Sequence, residues 1–289
     1  MSDVRIVTDS TACLPEGIVD KLKISWVPYY IHRGTEVLRD LVTAKTESFY
    51  DWMATADELP TTAAPGPGDY LEVYSSLVKK GAKAIASIHM TSKGSGAYQA
   101  ALTAKRIIAE KIPDLQIAVI DTLNVAMCQG WIAMEAARTA LAGASLEAVV
   151  NKLQSLIPNA QMIQTADTLK YLYMGGRIGM ATQLLGSILS IKPLIGMRDG
   201  IIVALGKARS REKAYKAMVS FAEGAVSTLG PIKIAYMHAA AQKDILHLRE
   251  LVEERIETVE SYIVELSPAL GVHSGPGTTG LCLIPARYD

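Results

Sequence analysis

Two spacings of hydrophobic positions divide this chain. Short aliphatic runs, VRIV (4–7), ISWVPYYI (24–31), AIASIH (84–89) and QIAVI (116–120), have the length and β-branched content of strands. Stretches with the wider helical spacing cover 69–80, 95–111, 124–142 and 145–156. Strands alternating with helices predict a parallel sheet covered by helices. Right-handed crossovers bring the loops after the strands to one edge, where open α/β sheets bind ligands.

IPNAQ (157–161) interrupts that alternation with a Pro-Asn turn. Beyond it, strands are expected at 161–165, 193–197, 201–205, 232–238 and 259–267, and helices at 210–227 and 241–257. The pair 193–197 and 201–205 flanks the tight turn Arg198-Asp199-Gly200, which predicts antiparallel pairing and a mixed sheet. The expected architecture is therefore two α/β domains. Residues 1–158 carry a parallel sheet flanked by helices, and residues 159–289 a mixed sheet.

Charge narrows the partners. Lys and Arg total 29, as do Asp and Glu, so a net charge of zero argues against nucleic acid or an anionic membrane surface. Cys13, Cys128 and Cys282 form no CxxC pair and read as buried thiols of a reducing compartment. The five histidines lack metal-ligand spacing, so no metal is expected. No signal-peptide core precedes the first strand. The most apolar run, LLGSILSIKPLIGM, is broken by Lys192 and Pro193, so a cytoplasmic chain without membrane insertion is expected.

The chemistry gathers in polar loops: TDST (8–11), PTTAAPGPGDY (60–70), HMTSKGSGAY (89–98), DTLN (121–124) and HSGPGTTGL (273–281). Residues 275–280 spell GxGxxG, but only nine residues (281–289) follow, too few for a dinucleotide-binding unit. There is no phosphate-binding P-loop. Lys93 stands where GxSxG would need glycine, so the serine-hydrolase elbow is absent as well. Ser10, Asp69, Ser95 and Thr122 are candidate helix caps. Thr61, Thr62, Ser92 and Ser95 supply hydroxyl donors and His273 a ring N–H, a set suited to holding one carboxylate.

Seven strings in order, IVTDSTACLP, LPTTAAPGPGDY, TSKGSGAYQAA, IDTLNVAMCQG, LKYLYMGGRI, LLGSILSIKPLI and HSGPGTTGL, resemble the DegV family. That family includes the fatty-acid-binding subunits of bacterial fatty acid kinase. The resemblance implies a single long-chain fatty acid in an apolar tunnel, with no cofactor. Thr62, Ser92 and His273 match the family positions that hold its carboxyl group. Arg177 of GGR matches an arginine at the site mouth, used for the acyl-phosphate or for docking. The implied partner is an ATP-dependent fatty acid kinase subunit. The chain departs from the family at TTAAPG, which lacks the Ser and Gln usual after the second Thr. It departs again at Gly94 and Ala97, and around Arg177, where flanking lysines and a serine are missing. Two other readings stand beside this one: an acyl hydrolase or acyltransferase using Ser92 or Ser95 with His273, and a lipid-responsive sensor.

Overall fold

The β-branched run that opens the chain forms β1 (Val4–Asp9), buried along nearly its whole length. The computed structural model describes residues 4–187 and 191–287, so Ile188, Leu189 and Ser190 of the LLGSILSIKPLI string lie outside the described residues. After β1 come α1 (Ile18–Lys21), β2 (Ile24–Val27), β3 (Tyr30–Arg33), β4 (Glu36–Arg39), α2 (Thr46–Met53) and β5 (Thr61–Ala63). There follow α3 (Pro67–Lys79), β6 (Ala84–His89), α4 (Ala97–Lys111), β7 (Gln116–Asp121), α5 (Ala126–Leu141) and α6 (Leu146–Leu156). Strands β2-β1-β6-β7 form a four-stranded sheet in which every neighbouring pair is parallel.

The stretch 24–31 is two strands rather than one. Pro28 has no N–H to give a ladder, and the chain changes sheet there. β2 ends the parallel sheet, while β3 sits between β4 and β5 in a small antiparallel sheet. Of that sheet, β4 and β5 carry no sequence signal strong enough to announce them. Two cap assignments also change. Ser10 accepts from Tyr29 N at 3.0 Å, and Asp9 caps the short turn after β1 instead. Thr122 braces its loop by donating to His89 O at 2.8 Å, four residues before α5 begins. Asp69 serves α3 from the third helical position, accepting from Gly66 N at 2.7 Å.

The second half runs β8 (Gln161–Thr165), α7 (Lys170–Met174), β9 (Lys192–Arg198), β10 (Ile201–Ala208), α8 (Arg211–Leu229), β11 (Ile232–His238), α9 (Gln242–Glu253), β12 (Glu260–Glu265), α10 (Pro268–Ser274) and β13 (Thr279–Pro285). Its six-stranded sheet has the order β10-β9-β8-β13-β11-β12 and is mixed, with only β11–β12 parallel. HSGPGTTGL is not simply a loop. His273 and Ser274 end α10, and Thr279 starts β13, a central strand absent from the sequence reading.

Residue alternation explains why β13 is central. Leu281 and Leu283 pack with Tyr215, Met218, Ile245 and Leu248 of α8 and α9. Cys282 and Ile284, pointing the other way, join the core that contains Met127, Trp131 and Met134 of α5. β11 splits in the same manner, with Ile234 and Tyr236 on one side and Ala235 and Met237 on the other. A strand covered on both faces reads as a continuous apolar run, which hides its period. Helix α5, AMCQGWIAMEAARTAL, is likewise buried almost all round because it packs against both β1 and β13. One core thus links the two sheets. The three cysteines are buried and free.

Candidate functional site

Helix α10 comes from the second half of the chain and docks on the first. Buried Asp40 accepts from Ala269 N at 3.0 Å, and Tyr50 donates to Leu266 O at 3.1 Å, so both ends of the approach are tied. Burial pushes the Asp40 carboxyl up to about 6, with its hydrogen bonds opposing the shift. Gly271 lets α10 close on α2: a Cβ there would stand 2.4 Å from the Tyr50 hydroxyl.

This docking carries His273 to Thr62 of β5, 211 residues away in sequence, with Nε2 and Oγ1 2.8 Å apart. The imidazole is mostly buried, and desolvation, then the nearby Arg177 charge, lowers its pKa to about 4. At neutral pH the ring is uncharged and has one N–H. Nδ1 has no hydrogen-bond partner among the described residues and lies against Gly175, where a Cβ would come within 2.2 Å of it. A bare lone pair there meets the Gly175 Cα–H, a weakly favourable contact. Hydrogen-bond accounting therefore assigns the proton to Nε2, which donates to Thr62 Oγ1. The Thr62 hydroxyl proton is left free.

A cavity of about 150 Å³ opens beside this pair. Its walls are apolar: Met90, Val125, Met162, Leu172, Leu266 and Leu270. Thr62, His273, Ser95, Tyr29 and Arg177 supply polar groups to its lining, with Thr11, Gln164 and Ser274. Tyr29 OH and Ser95 Oγ are 2.6 Å apart, and Ser95 Oγ also accepts from Ala97 N at 3.2 Å at the start of α4. Arg177 is exposed at the rim, its guanidinium donating to Gly175 O at 2.6 Å.

Of the residues singled out in the sequence, Thr62, Ser95, His273 and Arg177 meet at this cavity. Thr61 and Ser92 do not. Alternation along β5 turns Thr61 outward to solvent. Ser92 is exposed, and its backbone N–H donates to Asp121 Oδ2 at 3.2 Å. Tyr29, Thr11 and Gln164 line the cavity without having been singled out. Nothing local distinguishes Tyr29 from Tyr30, whose hydroxyl instead donates to Asp69 Oδ1 at 2.7 Å on another face. Ser95 and His273 do not pair with each other, since each is engaged elsewhere. Among the described residues, no group of three or more His, Cys, Asp or Glu could hold a metal ion.

The glycines of GPGTTG serve packing against protein. Gly275 has a positive φ of 76°, and a Cβ on it would strike the Tyr171 ring at 2.1 Å. Close contact with α7, rather than with a phosphate, explains that glycine.

A mostly apolar cavity with a few polar groups in its lining, in an α/β protein, is the kind of pocket in which small molecules bind. Residues 3–286 match the family model described as "Uncharacterised protein, DegV family", and the chain belongs to the DegV family. A DegV domain-containing protein of Streptomyces coelicolor is 32% identical over 281 residues, covering 96% of this chain and 97% of the relative. Among solved structures, a fatty-acid-binding DegV family protein from Thermus thermophilus has a TM-score of 0.91 at 28% identity, covering 99% of this chain and 100% of that one. A stearic-acid-binding protein from Eubacterium ventriosum likewise gives 0.91 at 28% identity, covering 98% of each chain. Among the described residues, no helix is long and apolar enough to cross a membrane.

Proposed function

We propose that this protein binds one long-chain fatty acid, its carboxyl group at the Thr62–His273 and Ser95 end of the cavity. The supporting observation is a mostly apolar lining that also carries the hydroxyls of Thr62 and Ser95 and the His273 ring. Each buried methylene contributes about 0.8 kcal/mol, so the acyl chain supplies most of the affinity and the hydroxyls set its direction. A cavity near 150 Å³ takes a benzene-sized group. A long chain therefore displaces wall side chains, and the unbranched Met90 and Met162 are the ones able to move aside.

The finer reading has two domains, 1–158 and 159–289, meeting at this site in the cytoplasm. In it the carboxyl is presented past Arg177 to an ATP-dependent fatty acid kinase subunit, which forms the acyl-phosphate. Neutral donors leave the carboxylate oxygen available as a phosphoryl acceptor, and rim-exposed Arg177 suits the charge that builds there. Native mass spectrometry of the purified protein, before and after incubation with oleate or palmitate, tests the binding; a chain that stays free of lipid would refute it. Arg177→Ala tests presentation: it should keep fatty acid binding and lose acyl-phosphate formation with the kinase. Unimpaired transfer by that variant would remove Arg177 from the reading.

A further inference from the structure

The Ser95 hydroxyl is hydrogen-bonded in a way that fixes its direction. A serine oxygen offers two lone pairs and one proton. Ala97 N–H occupies one lone pair at 3.2 Å. Tyr29 OH lies 2.6 Å from the same oxygen. The distance alone allows either hydroxyl to donate; a phenol is ordinarily the more acidic of the two, which favours Tyr29 as the donor to the second lone pair. The Ser95 proton then has nowhere to go among these partners, and Ser95 borders the cavity.

Tyr29 is itself held in place. Its backbone N–H donates to Ser10 Oγ at 3.0 Å, and the residue is 5% exposed. Burial first, then the Asp9 carboxylate, raises the phenol pKa well above 10, so it remains a donor at every ordinary pH. In the same cavity, neutral His273 donates to Thr62 in the same sense, leaving that hydroxyl proton free too. Two exposed-to-cavity hydroxyls are each backed by a buried donor.

We propose that Tyr29 is a positioning residue of this site, which locks Ser95 as a donor aimed into the cavity and so selects an acid anion over the neutral alcohol of the same chain. A carboxylate only accepts, and it accepts strongly. An alcohol head group brings its own proton, for which two outward-pointing donors offer no partner. This rests on the fatty-acid reading above and deepens it.

The test compares oleic acid with oleyl alcohol, binding each to the full-length wild type, Tyr29→Phe, Ser95→Ala and the double variant, with thermal melts run alongside. Wild type should favour the acid. Tyr29→Phe should weaken acid binding by roughly tenfold and leave the alcohol nearly unchanged. Because Tyr29 acts through Ser95, the double variant should match Ser95→Ala alone. A purely structural Tyr29 would weaken both ligands alike and add to Ser95→Ala; either result overturns the inference. Should Tyr29→Phe prove unstable, Ser95→Ala decides, because an acid preference in that variant as large as in wild type also overturns it. Wild type that takes up neither ligand would instead sink the fatty-acid reading itself.

Discussion

The imidazole of His273 rests directly on the α-carbon of Gly175, so closely that a methyl group there would come within 2.2 Å of Nδ1. Gly175 has an ordinary helical φ of −74°, so its role is space and not backbone freedom. Gly175→Ala should therefore fold with little backbone strain but push His273 away from Thr62. Fatty acid affinity should fall by about tenfold or more, equivalent to one lost buried hydrogen bond. Titration of a fluorescent fatty acid checks this, and wild-type affinity in the variant would show that the ring can relocate freely.

Acid should weaken the protein through His273. The unfolded imidazole takes up a proton below 6.5, while the folded one resists until about 4. Between these values the unfolded chain holds more protons, so stability present above pH 6.5 is lost as pH falls toward 4. Asp40 works in the opposite direction, because its carboxyl is raised from 3.8 to about 6 and acidification relieves its burial. Comparing wild type with His273→Asn cancels the Asp40 contribution. The stability of wild type minus that of the variant should drop by on the order of 2–3 kcal/mol from pH 7 to pH 4. Parallel pH curves would mean that His273 protonates in place without cost.

Neighbouring hydroxyls should behave oppositely. Thr62→Val removes the oxygen facing His273 and should cost about 1–3 kcal/mol of ligand binding. Thr61→Val, on the solvent side of β5, should be silent in the same calorimetric titration. Comparable losses at both would place the ligand outside the cavity.

The two serines of the loop after β6 give the third contrast. Ser95→Ala should reduce fatty acid affinity, while Ser92→Ala should leave it unchanged, since the Ser92 side chain is exposed and only its backbone is engaged. A dominant effect at Ser92 would require the loop to rearrange on binding.

Core alternation makes a stability prediction. Leu283 is fully buried among α8, α9 and the sheet, and Leu283→Ala should cost about 2–5 kcal/mol in urea unfolding. A loss under 1 kcal/mol would show that this layer repacks.

Local spacing in the sequence was enough to locate most helices within a few residues, the parallel sheet of the first half and the β9–β10 hairpin, because each follows from a period of two or 3.6. The ordered loop strings likewise carried the family and pointed to Thr62, Arg177 and His273, but they matched Ser92 rather than Ser95 to the carboxyl position. What the sequence lacked was anything with a long reach. Strand β13 has both faces covered, so its alternation is split between two cores and looks like a plain apolar run. Pro28 divides one apolar stretch between two sheets, which places Tyr29 beside Ser95 and turns Tyr30 away. Thr62 meets His273 only because Asp40 and Tyr50 anchor α10 across the two halves. The choice between Ser92 and Ser95 is a matter of direction around one loop. Period and motif are properties of neighbours in the chain, whereas a donor's aim is set by packing between segments far apart in it; only the tertiary structure decides that.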